Sequence, residues 1–334
     1  MGSGASVLVT GGAGYIGSHA VLALREAGHR VCVVDDLSTG FREAIPDGVR
    51  LVVGDIADRP LVSALIRDEN VDAVMHFAGS IIVPESVSNP LKYYHNNSAK
   101  SRDLIETAID GGVGHFVFSS TAAVYGEPQA NPIGEDAPTV PINPYGVSKL
   151  MTEWMLRDVA LAHPLNYAVL RYFNVAGADP DGRTGQSTAG ATHLIKVASE
   201  VAAGKRSGIA VFGTDYPTRD GTAIRDYIHV SDLASAHVLA LTRLIAVPDQ
   251  CLTLNCGYGR GFTVTEVLDA VEAVTGASVN RRLEGRRPGD PAALVADASK
   301  IRALLDWQPR HDDLSQIVTD ALAWERKLAS MQRA

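Results

Sequence analysis

Along the first half of the chain, short runs of β-branched and aliphatic residues alternate with longer stretches whose apolar positions recur at helical spacing. Val7-Leu8-Val9, Val31 to Val34, Arg50 to Ile56, Ala73 to Gly79 and Gly114 to Thr121 read as strands. Between them, a stretch running to Ala27 with a Gly28 stop, Leu61 to Arg67, and Leu91 to Asp110 read as helices. A further helix is predicted to start at Asn143-Pro144, because Pro loses nothing by lacking an N–H in the first turn and Asn is a good cap before it. This alternation predicts an α/β fold with a doubly wound parallel sheet, in which ligands gather at the carboxyl ends of the strands. Beyond Asn174 the alternation loosens, so residues 1–175 are expected to form one domain and 176–334 a smaller C-terminal α/β domain. Within the second, Leu194 to Ala203 reads as helix, and Leu314 to Leu328, after Asp312-Asp313, as an amphipathic surface helix.

Chemistry enters at the first strand end. Thr10-Gly11-Gly12-Ala13-Gly14-Tyr15-Ile16-Gly17 places closely spaced glycines between a strand and a helix, which allows a tight turn and close approach of a pyrophosphate to the helix N-terminus. The second strand ends in Asp35-Asp36, about twenty residues on, where a carboxylate hydrogen-bonds a ribose 2′-hydroxyl and repels a 2′-phosphate. NAD is therefore expected over NADP, with Arg42 the only nearby residue arguing otherwise. Asp55 and Ile56 end the third strand and flank an adenine edge or, for Asp55, simply cap the next segment.

Tyr145 and Lys149 stand four residues apart on the helix beginning at Asn143, so their side chains rise from the same face. A free phenol has a pKa of about 10, and lowering it to neutrality takes about 4 kcal/mol, part of which a nearby cation supplies. The fifth strand ends in Ser119-Ser120-Thr121, and the strand-end rule gathers Thr121, Ala78-Gly79, the two acidic strand ends and the glycine turn around one crevice.

Composition narrows the class of partner. With 30 Lys+Arg against 38 Asp+Glu and a net charge of −8, the 334-residue chain has no electrostatic footprint for nucleic acid or an anionic membrane. Cys32, Cys251 and Cys256 cannot all pair and are not at metal-ligand spacing, so no metal is expected and the thiols suit a reducing compartment, the cytoplasm. No apolar run is long enough to span a bilayer. Met1 to Ser6 formally fits an N-terminal acylation pattern but is discounted, because Ser6 runs straight into a strand.

Taken together, the glycine turn, Thr121, Tyr145 and Lys149 resemble the extended short-chain dehydrogenase/reductase family with its Rossmann-type sheet. Over nearly the whole length the chain looks most like the bacterial UDP-glucose 4-epimerases. The blocks that carry this are His76 to Gly79, Glu85 to Val87, Ser119 to Gly126, Pro144 to Leu150, Leu170 to Gly177, Phe212 to Pro217 and Ile224 to Val230. The resemblance implies Thr121, Tyr145 and Lys149 as the catalytic set. It implies NAD contacts from Gly11, Gly14, Tyr15, Ile16, Asp35, Asp36, Asp55, Ile56, Phe77, Ala78, Gly79, Asn96 and Tyr172, together with Tyr145 and Lys149. Asn174, Phe212, Arg225, Arg287 and Asp290, with Thr121 and Tyr145, match residues that hold a UDP-hexose, and Leu294 limits space near the sugar. Some relatives carry a lysine where this chain has Ile81, which removes one expected cofactor contact.

The residues alone also allow other roles for several of these. Phe212 stacks on a base or packs in the core. Asp290 accepts ribose hydroxyls or pairs with an arginine. Arg225 and Arg287 offer the planar forks a diphosphate needs. His19, His76 and His229 read as structural. In the family, the tyrosine helix and the segment Leu91 to Asp110 form a homodimer interface.

The implied reaction interconverts UDP-galactose and UDP-glucose through a 4-keto sugar, Tyr145 being poised as a phenolate by Lys149 and by oxidised nicotinamide. Three alternatives stand beside it: a 4-epimerase of a UDP-N-acetylhexosamine or UDP-pentose, a nucleotide-sugar 4,6-dehydratase, and a non-catalytic NAD-binding regulator. A dehydratase needs acids where this chain has Ala122-Ala123, and a regulator is expected to have a broken catalytic set, whereas this one is intact.

Overall fold

The computed structural model describes residues 4–287 and 290–331. Met1 to Ser3 of the discounted leader and Pro288-Gly289 of the arginine stretch lie outside them.

The predicted alternation forms one parallel sheet. β1 (Ser6–Thr10), β2 (Arg30–Asp35), β3 (Arg50–Val53), β4 (Ala73–His76), β5 (His115–Thr121) and β6 (Asn166–Tyr172) pair in the order 6-5-4-1-2-3. The strand Cys251–Cys256 adds to the outer edge of β6, parallel and in register from Cys251 opposite Tyr167. Residues well beyond position 175 thus complete the first sheet. Alternate strand residues face opposite layers: Val7 and Val9 join a core with the helices Tyr15–Glu26 and Val230–Ala246, while Leu8 joins a core with Arg59–Asp68 and Lys100–Asp110. Burial on both faces explains why these strands read as continuous apolar runs.

The chain order reverses between β1 and β4, which opens a crevice above their carboxyl ends. A second unit lies beyond it. The strand Ile224–His229 pairs with Asn174–Ala176, Gly261–Thr263 and Ala293–Leu294, and a two-stranded sheet joins Ile209–Phe212 to Arg281–Glu284.

Two helical predictions change. Leu91 to Asp110 is not one regular helix but Pro90–Tyr93, a π-helical segment Tyr94–Ala99, and Lys100–Asp110. π-Helical turns often mark functional sites, and this one carries Asn96 and Asn97. The last helix, Leu314–Met331, is anchored as well as amphipathic: its Glu325 is 1% exposed and pairs with Lys196 and Lys205.

Candidate active site

The glycine turn is held from several sides. Gly11, at φ +68°, needs the left-handed conformation, and a Cβ on it would lie 2.6 Å from the Ala78 nitrogen, so β1 and the loop after β4 touch only because it is glycine. Gly14 caps the helix Tyr15–Glu26 with no side-chain hydrogen bond and no acid follows in the first turn, so the N-terminal amides are left for an anion. Tyr15 donates its hydroxyl to the Gly177 carbonyl at 2.7 Å, and Ile16 packs into the core, so their main chain rather than their side chains faces the turn.

Asp35 ends β2 and is buried, accepting the Ala13 N–H at 2.9 Å and the Leu37 N–H at 2.8 Å. Burial raises its pKa, and the two amides pull against that. Asp36 is exposed and accepts from Ser38. Asp55 accepts the Ala57 N–H and pairs with Lys100 at 2.6 Å; burial works the other way, but Lys100 and the amide hold its pKa below the usual carboxylate range. Asp55 thus holds its own turn but does not cap the next helix, a role Asp58 takes by accepting the Leu61 N–H at 3.1 Å, and Lys100 is a partner that nothing local in the sequence shows. Ile56 is buried beside it. These groups form a glycine cradle, free helix amides and carboxylates at the neighbouring strand ends, a donor and acceptor set that fits a dinucleotide.

Across the crevice, Phe77 lies 4.9 Å from the His237 ring, and Gly79 sits where a Cβ would be 3.6 Å from Lys149 Nζ. Asn96 donates to the Ser80 hydroxyl at 3.0 Å, while the buried Asn97 accepts the Ser80 N–H at 2.7 Å and donates to Ser80 and Ser148. Both asparagines fix the loop after β4. Only the first was singled out from sequence, because nothing local shows that a π turn turns its neighbour inward as well.

Thr121 ends β5 directly opposite Tyr172 at the end of β6, and the Tyr172 hydroxyl meets Ser119. Asn143 caps the helix Pro144–Ala162 as its sequence predicts, accepting the Gly146 N–H at 2.9 Å. That cap brings Tyr145 and Lys149, 9% and 3% exposed, against the strand ends. Lys149 donates to the Ser119 carbonyl at 3.0 Å and lies 5.0 Å from the Phe118 ring centre. Burial lowers its pKa to about 8, against the pull of Glu153.

In the protein alone, burial raises the pKa of the Tyr145 phenol, and the Thr121 hydroxyl pulls it the other way. Removing a phenolate from water costs more here than the neighbouring groups return.

In the second unit, Arg225 is 8% exposed and forms an ion pair with Asp290, while Leu294 stands beside Arg225 in register. Arg287 lies 3.7 Å over the Phe212 ring. Leu294 also packs on the cluster containing Tyr125, Phe173 and Ala122, the residue after Thr121, and Asn174 opens another strand paired with Ile224–His229. Asp290 has the arginine partner that one of its readings allowed, whereas Phe212 is half-buried and carries a guanidinium on its face, which neither of its readings named.

The histidines hold the frame. His76 bridges Thr10 at 2.6 Å and Ser101 at 2.8 Å, and burial lowers its pKa to about 3. Among the described residues one trio, His229, His311 and Asp320, brings possible ligand atoms within 4.8 Å. His229 Nδ1 accepts the Ser231 N–H at 3.1 Å, so the ring proton sits on Nε2 facing Asp320 at 3.1 Å. Nε2 is the atom a metal would need bare, so the His229–Asp320 hydrogen bond is a lock between the strand Ile224–His229 and the last helix, with the His311 ring stacked on His229.

The profile of the NAD dependent epimerase/dehydratase family matches residues 7–257. The UDP-glucose 4-epimerase of Azospirillum brasilense is 61% identical over 322 residues, spanning 96% of this chain and 92% of that protein. Among solved structures, the UDP-glucose-4-epimerase of Stenotrophomonas maltophila with bound NAD and formylated UDP-arabinopyranose superposes with a TM-score of 0.95 at 42% identity, covering 98% and 99% of the two chains. The UDP-Glc/GlcNAc 4-epimerase of Campylobacter jejuni is 49% identical with a TM-score of 0.85, covering 97% and 100%. With the glycine cradle and the Thr121, Tyr145 and Lys149 cluster on one sheet end, the chain belongs to the NAD dependent epimerase/dehydratase family.

Proposed function

We propose that this protein interconverts UDP-galactose and UDP-glucose by transient oxidation at sugar C4 through a 4-keto sugar, with residues 1–175 holding NAD and 176–334 mainly holding the UDP-sugar. The observation that carries this is the meeting of Thr121, Tyr145 and Lys149 at the strand ends beside the glycine turn, in a chain that aligns with UDP-glucose 4-epimerases over nearly its whole length. NAD, when bound, supplies the acceptor for the C4 hydride and its donor for the return. Gly11, Gly14, Tyr15 and Ile16 offer main-chain groups to its pyrophosphate. Asp35 and Asp36 take the ribose hydroxyls, Asp55 and Ile56 the adenine edge, and Phe77, Ala78, Gly79, Asn96 and Tyr172 the remaining wall.

Tyr145 takes the proton of the sugar 4-hydroxyl and returns it to the product, and Thr121 orients that hydroxyl. Since burial disfavours the phenolate, the step depends on fixed positive charge nearby, which Lys149 provides while protonated. Arg225 and Arg287 anchor the diphosphate so that the sugar can present either face, with Asp290 on the uridine ribose, Phe212 on the base, and Asn174 and Leu294 around the hexose. Ala122 and Ala123 offer no acid to expel water.

An NMR time course tests the reading. Purified protein with UDP-galactose, first alone and then with NAD, is expected to form UDP-glucose, and absence of conversion in both refutes it. A parallel run with UDP-N-acetylgalactosamine reports whether Leu294 leaves room for the acetyl group.

The protein is further read as a homodimer. Met151, Trp154 and Leu161, at helical spacing on Pro144–Ala162, stand exposed together with Val87 and Leu91 from neighbouring helices, and apolar stripes of this kind suit a second copy. Light scattering on the purified protein checks this; a monomeric mass contradicts it. Cytoplasmic residence rests on the three free cysteines.

A further inference from the structure

Glu153 has no part in the mechanism above, yet it is 6% exposed and lies one helical turn beyond Lys149, on the face that already carries Tyr145 and Lys149. A buried carboxylate stays ionised only when it is paired and hydrogen-bonded. Arg171 of β6 donates to it through Nε at 3.1 and 3.2 Å and through Nη2 at 2.6 Å, and the Ser120 hydroxyl of β5 donates to its other side. Arg171 also donates to the Tyr125 hydroxyl at 3.0 Å, which in turn donates to Asn255 at 2.7 Å. Helix, β5, β6 and the Cys251–Cys256 strand are thus tied together beneath the catalytic set.

As a stability device such a pair is poor, since packed apolar residues often replace a buried ion pair without loss. Its position is more informative. Ser120 lies between Ser119, whose carbonyl accepts from Lys149, and Thr121, whose hydroxyl faces Tyr145. Arg171 directly precedes Tyr172, whose hydroxyl meets Ser119. Clamping Ser120 and Arg171 therefore fixes the two strand ends that the catalytic helix faces.

Resting on the epimerase reading, we propose that Glu153, held by Arg171 and Ser120, is a positioning residue that keeps Lys149 protonated and fixes the strand end presenting Thr121.

The surrounding charges leave this task to Glu153. Arg171 approaches from β6 as a cation. His76 approaches from β4 and is neutral, burial first and then Lys149 itself having lowered its pKa. Tyr172 on β6 is a phenol held neutral by burial, and Tyr93, 6.4 Å from the Tyr145 ring, is neutral for the same reason, while Tyr145 on the same helix is the base of the reaction and carries its charge only when the site is loaded. Phe118 offers only its ring face. Glu153 is the group whose charge opposes the burial that lowers Lys149 to about 8. Without that carboxylate, burial and the Arg171 cation both push Lys149 further down, and its charged form is lost at lower pH.

The test uses NAD-loaded protein with isotope-labelled lysine side chains, the Lys149 signal being assigned by its loss in Lys149→Met and titrated by NMR. In Glu153→Gln the Lys149 midpoint is expected to fall by at least about half a pH unit. The alkaline limb of kcat for UDP-galactose moves with it while KM stays at its wild-type value, and Glu153→Asp, which keeps the charge, restores the midpoint.

Glu153→Gln strands Arg171 and can unfold the chain, so Glu153→Met/Arg171→Leu runs alongside; it is expected to melt near the wild type and still show the lowered midpoint. A folded variant lacking the Glu153 carboxylate whose Lys149 midpoint and alkaline limb stay at wild-type values overturns the proposal. If neither variant folds, the wild-type Glu153 carboxyl signal decides, assigned through Glu153→Asp: ionised throughout about pH 6 to 9 supports the proposal, and protonated overturns it. The lysine titration needs no substrate, so a wild-type protein that fails to convert UDP-galactose refutes the epimerase reading separately.

Discussion

The glycine turn at Gly11 to Gly17 and the arginine cluster around Arg225 are built in opposite ways. The turn works through main chain: positive φ at Gly11, open amides after Gly14, and an aspartate only 22 residues on that accepts the Ala13 N–H. Around Arg225 the work falls to charged side chains from distant segments. Asp290 pairs with an arginine 65 residues away, and Asp215 with Arg286 across 71. A ligand at the first site meets amides with no competing side chain, whereas a ligand at the second must replace ion pairs the protein already makes. Affinity there is a difference between two sets of charged hydrogen bonds.

Tyr145 and Lys149 lie against the strand ends beside the loop that Gly11 touches, and substitutions there are expected to act most strongly. Tyr145→Phe keeps the fold and NAD binding but lowers turnover by about a hundredfold to ten-thousandfold, read from UDP-galactose conversion. Near-normal turnover removes Tyr145 as the base.

Lys149→Met separates charge from packing. The folded pKa of this lysine, about 8, lies below its ordinary 10.5, so between those values the unfolded chain binds more protons and wild-type stability rises with pH. At neutral pH the buried charge costs about 3 kcal/mol, and the variant is expected to lose turnover yet gain stability toward that amount, with the rise above pH 8 gone. Denaturant melts across this range check it; a less stable variant assigns Lys149 a packing role.

The comparison itself is sharpened by one substitution in each region. Arg225→Met removes a charged anchor worth about 1.5 to 3 kcal/mol and is expected to raise KM for UDP-galactose by about tenfold to a hundredfold with kcat less affected. An equal fall in kcat places Arg225 in the chemical step instead. Asp35→Ala is expected to weaken NAD binding by about tenfold while leaving binding of UDP alone unchanged, and titration calorimetry with each ligand reads both. Loss of UDP binding as well refutes the independence of the two regions.

The same contrast governs what the sequence disclosed. β1, β2 and the turn between them are local features, as is the Asn143 cap, and each was legible because its cause lies within a few residues. Cys251–Cys256 was not read as part of the first sheet, since its apolar run is interrupted by Thr253 and Asn255 and its partner is β6, far back in the chain. The π turn at Tyr94–Ala99 leaves no compositional mark, which hid Asn97. Glu153 stood at a visible helical spacing from Lys149, but its meaning depends on Arg171 reaching it from another strand. The burial that raises the pKa of Tyr145 was not legible either: spacing reveals a neighbouring cation, while burial is a property of the whole fold.

The account rests on a C4 hydride that leaves the sugar and returns to it within one site. The direct measurement is conversion of UDP-galactose carrying deuterium at C4, followed by NMR in ordinary water with NAD present. Product UDP-glucose that keeps the deuterium at C4 is the predicted result. Deuterium released to water, with hydrogen in its place at C4, contradicts it and points to removal of that hydrogen as a proton.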